Sequence, residues 1–278
     1  MKKNLSRRDF LCAMGAFAGT AALVGCGSTG GTTAATTEAA TTAAAGDLGL
    51  VKEGTFTVAL SPDFPPFENL DGDQYVGFDV ELAKAVAEKL GLEVEFKTLQ
   101  FDGIVPAISA GGQADCGWSG ITIDPEREKE VDFSDPYYVD NQCVVTMKAN
   151  ADVTEDNYAD VLNKEGVIIA VQSGTTGETY AQETFPNATV QPYGNATDCF
   201  AAMQSNQAVA VATNLAVGQK MVGDAYTDAQ IIHKEATGEE YGVAVSKENA
   251  TLLEAINGAL SELTEDGTVD NLTNQWMG

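Results

Sequence analysis

The sequence predicts an α/β protein of two lobes, each built on its own sheet. Three observations carry that expectation. Short β-prone runs alternate with segments whose apolar residues recur every three or four positions. The alternation occurs as two series, the second beginning after Tyr137. A hydrophobic content of 44% over 278 residues is enough to bury a substantial core in each. In sheets of this kind pockets lie where loops leave the carboxyl ends of strands, so a site is expected there.

Residues 1–25 are set aside first. Lys2, Lys3, Arg7 and Arg8 precede a run of mostly apolar or small residues from Leu11 to Gly25, the charged-then-apolar order of an export signal. The run is shorter than the roughly 20 residues a membrane span needs. Ser6-Arg7-Arg8-Asp9-Phe10-Leu11 resembles a twin-arginine export signal, and Leu23-Val24-Gly25-Cys26 resembles a lipobox, at which the Cys26 thiol is diacylated before cleavage. Lipid on Cys26 would tether the protein to the outer face of a bacterial cytoplasmic membrane. Residues 26–50, rich in Thr, Ala and Gly, hold too few large apolar side chains to offset the entropy of ordering and read as a flexible linker.

The first series opens with Phe56–Leu60, a strand, which Pro62, Pro65 and Pro66 convert into an open loop. Val80, Leu82, Ala83, Val86, Ala87 and Leu90 then recur at helical spacing over 78–90, with Gly91 as the stop. Leu92 to Phe96 alternates like a strand, 103–110 reads as a helix closing at Gly111-Gly112, and 115–123 reads as a strand entering a polar turn. In the second series 142–147 and 167–171 are strands, and Ser173-Gly174-Thr175-Thr176-Gly177 is a tight turn into a helix through Phe185. Residues 199–203 are helical, 208–212 and 241–245 are strands, and 251–266 is an amphipathic helix. This spacing of β-loop-α units predicts parallel strands.

Composition narrows function. Formal charge is −26, and removing residues 1–25 takes away four cations and Asp9, leaving 11 Lys plus Arg against 40 Asp plus Glu, a net −29. A surface that acidic repels phosphate backbones, so no nucleic-acid partner is expected. His233 is the sole histidine, which leaves no His-based metal cluster and makes any Ser/His/Asp or Cys/His nucleophile depend on one residue. No metal, cofactor or catalytic residue is expected. Cys116, Cys143 and Cys199 are read as free buried thiols. Arg127 is the single arginine left after processing, and a guanidinium grips a carboxylate with two parallel hydrogen bonds. On its own chemistry, Asp-Pro-Glu-Arg-Glu-Lys-Glu is also a solvated helix start with local ion pairs.

Several spaced motifs occur in order: Pro65-Pro66-Phe67-Glu68, Gly77-Phe78-Asp79-Val80, Phe101-Asp102-Gly103-Ile104-Val105-Pro106-Ala107, Ser119-Gly120-Ile121-Thr122, Glu126-Arg127, and Val131-Asp132-Phe133-Ser134-Asp135-Pro136-Tyr137-Tyr138. Over 53–278 the chain resembles the bacterial extracellular solute-binding proteins (family 3) of polar amino-acid ABC transporters. The resemblance implies a type II periplasmic-binding fold, two lobes joined by two hinge strands and closing on a ligand like a trap. It places lobe 1 at 51–138 plus 242–278 and lobe 2 at 139–241, with hinges near 137–141 and 237–241.

By that resemblance Arg127 holds the ligand α-carboxylate and Thr176 adds a second carboxylate contact from the other lobe. Ser119, Gly120 and Thr122 offer a carbonyl and hydroxyls, Phe64 and Phe101 sandwich the ligand side chain, and Gln172 sets selectivity. Gly174-Thr175-Thr176 opens a helix whose free N–H groups suit an anion. It lacks the Gly-Lys-Ser/Thr of a phosphate loop. One departure stands out. Where the family usually presents an aspartate to the ligand ammonium, this chain has Asn214, so either another carboxylate such as Asp63 compensates or the ligand is not an ordinary α-amino acid. The implied function is capture of a small carboxylate-bearing solute, an amino acid, for an ABC permease, by a monomeric lipoprotein. Cyclohexadienyl-dehydratase-like catalysis and a sensory ectodomain are the alternatives on the same fold. The first needs an acid/base pair in the cleft. The second is disfavoured because no membrane span follows Trp276-Met277-Gly278.

Overall fold

The computed structural model describes residues 47–278. The twin-arginine segment, Cys26 and the linker up to residue 46 lie outside the described residues. In chain order the first part forms β1 (Thr55–Leu60), β2 (Asp63–Phe64), β3 (Glu68–Asp71), β4 (Gln74–Val76), α1 (Phe78–Leu90), β5 (Glu93–Thr98), α2 (Phe101–Ala110), β6 (Cys116–Gly117) and β7 (Val131–Phe133). The long strand β8 (Tyr138–Met147) leads into α3 (Tyr158–Leu162), β9 (Ile168–Gln172), α4 (Thr176–Thr184), β10 (Thr189–Tyr193), α5 (Ala196–Gln204), β11 (Ala210–Asn214) and α6 (Leu215–Asp224). The chain returns along β12 (Ala229–Tyr241) to β13 (Ala244–Ser246), α7 (Ala250–Glu265) and α8 (Thr268–Met277).

These elements make two five-stranded sheets, ordered β5-β1-β6-β13-β7 and β10-β9-β11-β8-β12, and a small β2-β3-β4 meander. β1 lies between two parallel neighbours and buries all six residues, as expected of a strand covered on both faces. α1 buries the predicted stripe of Val80, Leu82, Ala83, Val86 and Ala87. It ends at Gly91, whose φ of 70° closes a left-handed cap with its N–H on the last carbonyls.

The expected parallel pairs are present, β1 with β5 and β6 and β9 with β10 and β11, and each sheet adds antiparallel pairings that the sequence reading did not include. β13 is antiparallel to β6 and β7, and β8 is antiparallel to β11 and β12. The physical reason is connectivity. β8 and β13 each enter their sheet directly from the other lobe, so no helical crossover forces them parallel. Two further expectations shift. The 115–123 strand is only Cys116–Gly117, because the chain turns at Gly120 with φ +53°. The 241–245 strand is broken at Gly242 and Val243 between β12 and β13.

The two connections pair with each other. β8 and β12 run antiparallel, with Tyr138 opposite Tyr241, Val139 opposite Glu240 and Asp140 opposite Glu239. The register slips between Glu235 and Glu239, where Gly238 has φ +63° and donates its N–H to Asn141 Oδ1 at 3.0 Å. Residues 48–50, placed in the linker by sequence, pack onto the lobe together with Val51. Leu48 is buried, its carbonyl accepts from Asn249 Nδ2 at 2.8 Å, and Val51 N–H donates to Asp115 Oδ1 at 2.6 Å. Cys116, Cys143 and Cys199 are free and buried.

Candidate functional site

Arg127 starts a single 3-10 turn at Arg127–Lys129, set by Asp124 Oδ1, which accepts from Glu126 N–H at 2.8 Å. Its Nη1 donates to the Thr122 carbonyl at 2.8 Å, and its Nη2 reaches the other lobe to donate to the Gly174 carbonyl at 2.9 Å. Cζ stands 5.4 Å above the Phe101 ring centroid, a cation–π contact. Burial pushes the guanidinium down from its ordinary pKa, and the charges of Asp124 and Glu239 push back. It stays cationic at any working pH.

The Gly174 turn follows β9 and is anchored by Thr175, the N-cap of α4. Thr175 Oγ1 accepts from Glu178 N–H at 3.2 Å and donates to the Gln172 carbonyl at 2.8 Å. The N–H groups at the first positions of α4, Thr176 and Gly177, have no intrahelical acceptor. Gly174 has φ +75°, and a Cβ there would lie 2.8 Å from Asp102 Cβ. Beside it Ser173 Oγ donates to Asp102 Oδ2 at 3.0 Å, and Asp63 Oδ2 accepts the α5 N–H of Ala196 at 2.5 Å. Three polar links therefore hold the lobes against each other.

Thr122, Thr176 and Asn214 do converge, and what they converge on was not foreseen. Glu239 Oε2 accepts from Thr176 Oγ1 at 2.6 Å, from Thr122 Oγ1 at 2.9 Å and from Asn214 Nδ2 at 3.3 Å. Glu239 Oε1 accepts from Gln142 Nε2 at 2.7 Å and from Thr237 Oγ1 at 3.2 Å. The backbone explains the meeting. Thr122 bridges Tyr241, and Ile123 N–H donates to the Glu240 carbonyl at 2.8 Å, so the 119–123 loop lies along the last residues of β12. Glu239 and Gln142 escaped the sequence reading because Glu239-Glu240 looks like a solvated charge pair. Gln142 had one weak signal, a polar residue at the head of an apolar strand.

Other expected residues have different surroundings. Ser119 turns its hydroxyl into lobe 1, accepting from Ser61 N–H at 3.0 Å and donating to Glu68 Oε1 at 2.6 Å. Gly120 N–H donates to Asp79 Oδ2 at 2.7 Å, and the same oxygen accepts from Tyr137 OH at 2.8 Å. Desolvation raises the pKa of both Glu68 and Asp79, and the two carboxyls are close enough to raise Glu68 further. Phe64 is buried, stacked on Phe67 at 5.9 Å and against Gly120. Gln172 is buried, yet neither its amide nitrogen nor its oxygen has a hydrogen-bond partner, and Gln142 Oε1 is also unpartnered. Buried amides left open in this way suit a polar ligand. Asp63, the suggested compensating carboxylate, is taken up by Ser61 Oγ at 2.8 Å and by Ala196.

His233 stacks on Tyr158 at 4.1 Å and its Nε2 lies 3.0 Å from Glu235, away from the Glu239 cluster. Among the described residues no group of three or more His, Cys, Asp or Glu could hold a metal ion, and no helix is long and apolar enough to cross a membrane.

The chain is similar to known proteins over most of its length. The profile of the bacterial extracellular solute-binding proteins, family 3, matches residues 56–278. The ABC transporter arginine-binding protein 1 of Escherichia coli K12 is 30% identical over 78% of this chain and 88% of its own length. A solved ancestral arginine-binding protein bound to glutamine is 39% identical with a TM-score of 0.75, covering 81% of this chain and 98% of that one. The ancestral amino acid-binding protein AncCDT-1, a precursor of cyclohexadienyl dehydratase, is 38% identical with a TM-score of 0.75, covering 81% and 96%. The chain is a two-lobed, hinged protein of the type II periplasmic-binding kind, and it belongs to the bacterial extracellular solute-binding proteins, family 3.

Proposed function

We propose that the cleft captures an L-α-amino acid with a polar side chain and delivers it to an ABC permease. The observation that carries this reading is Arg127. It is half-buried, backed by Phe101, and bonded only to carbonyl oxygens of both lobes, so a ligand carboxylate offers it better acceptors than it has now. The carboxylate would be shared between Arg127 and the free N–H groups at the start of α4, where the helix dipole also favours an anion. Gln172 and Gln142 supply unpaired amides for polar groups of the ligand, with Thr122, Thr175, Thr176, Gly120 and Asn214 around them. Phe64 and Phe101 flank the side chain, and Ser119 acts from behind by holding the loop. Relatives named for arginine, cystine, glutamine and histidine support an amino acid as the class. The lobe boundaries and hinges are those given by the sequence, and the protein works as a lipid-anchored monomer through Cys26.

A thermal-shift screen over the L-amino acids and L-cystine tests the reading. Stabilisation by at least one, lost in Arg127→Ala, is the expected result. A catalytic reading has less to stand on, because the one imidazole is tied to Tyr158 and Glu235. Turnover of prephenate or arogenate by the purified protein would establish it.

A further inference from the structure

We infer that Glu239 is the carboxylate that receives the ammonium group of the bound amino acid, in place of any anion at position 214. The inference rests on the amino-acid reading and adds the residue that meets the positive half of the ligand. Asn214 is neutral, and Asp63 is committed to the α5 N–H of Ala196, a backbone donor that cannot rotate away, and to Ser61.

Glu239 has what that task requires. It lies where both lobes meet, accepting from Thr122 on one side of the cleft and Thr176 on the other. Among the described residues it takes part in no ion pair, although the chain forms several elsewhere. Five neutral donors converge on its two oxygens, and three of them are hydroxyls free to rotate. A carboxylate accepts about four hydrogen bonds, so this one is crowded by weak partners that an ammonium, with charge-assisted bonds about twice as strong, displaces. The released Thr122 and Thr176 hydroxyls can then turn to other ligand atoms.

The placement also matches a zwitterion. Thr122 accepts from Arg127 through its carbonyl and donates to Glu239 through its hydroxyl, so a fixed cation and a fixed anion stand on either side of one residue. The backbone holds Glu239 there. The slip in the β8–β12 register, with Gly238 at φ +63°, loops out two extra residues of β12 between Glu235 and Glu239 and leaves Glu239 opposite Asp140.

Titration calorimetry with paired probes tests the assignment: L-arginine with 5-guanidinopentanoate, and L-glutamine with 4-carbamoylbutanoate, the second of each pair lacking only the ammonium. For whichever amino acid the wild type binds, Glu239→Gln should weaken binding by about tenfold or more, the loss expected when a charge-assisted bond becomes neutral. The same variant should bind the matching des-amino analogue as the wild type does. The double variant Asn214→Asp/Glu239→Gln, which moves the carboxylate to the neighbouring side chain, should recover most of the amino-acid affinity. Glu239→Gln that binds the amino acid as well as or better than wild type overturns the assignment, as does an equal loss of both probes with no recovery in the double variant. A wild type that binds no amino acid overturns the function reading and this one together.

Discussion

Arg127 of one lobe donates through Nη2 to the Gly174 carbonyl of the other at 2.9 Å, and Gly174 rests against Asp102 so closely that a Cβ would lie 2.8 Å away. The residue proposed to grip the ligand is thus also one that bonds the opposite lobe. Gly174→Ala should hold the lobes apart. Left-handed backbone at alanine costs about 1–2 kcal/mol, and the clash with Asp102 adds to it only in the closed form. Ligand affinity should fall about tenfold, and small-angle scattering with ligand should give a larger radius of gyration than wild type. Unchanged compaction would show that the contact does not gate closure.

The buried Glu68–Asp79 pair gives a pH signature. Both carboxyl pKa values are raised by burial, so the folded protein holds a proton that the unfolded chain releases in the ordinary carboxylate range near pH 4. The stability this pair contributes is fully present below that range and declines as pH rises to neutral. Glu68→Gln keeps an acceptor for Ser119 and a donor toward Asp79 without the titrating proton. It should flatten the decline by up to about 1.4 kcal/mol per pH unit. Denaturant melts of both proteins between pH 4 and 8 measure this, and parallel curves would contradict it.

A lipid anchor at Cys26 is proposed from the sequence around that residue. Cys26→Ala should move the protein from the membrane fraction to the soluble fraction of cells expressing the full chain, with no change in ligand affinity of the purified domain. An unchanged distribution would remove Cys26 as the anchor.

Much of the fold was legible because local and tertiary demands agreed. α1 is bounded at Phe78 and Leu90 as its spacing and Gly91 indicate, since the same stripe that repeats in sequence is the one that is buried. Where they diverge, the sequence was silent. α6 carries Gly218 in its interior, a poor helix former, because a Cβ there would meet Cys143 Sγ at 2.5 Å. α8 has no fully buried residue. β12 was read only near its Tyr241 end, because 234–238 is polar and exposed and the element is held as a strand by pairing with β8. The site followed the same rule. Arg127, Thr122, Thr176 and Asn214 could be named from the motifs, but Glu239 joins them through a strand register that no local pattern encodes.

Arg127 is proposed to grip the carboxylate of an amino acid held between the lobes. Titration calorimetry of wild type and Arg127→Ala with L-arginine, L-glutamine and the carboxylate-free agmatine tests it most directly. Wild type should bind an amino acid and not agmatine, and Arg127→Ala should lose about a hundredfold or more in affinity, as expected for two charge-assisted hydrogen bonds. Binding that survives intact in Arg127→Ala, or agmatine bound as tightly as L-arginine, would contradict it.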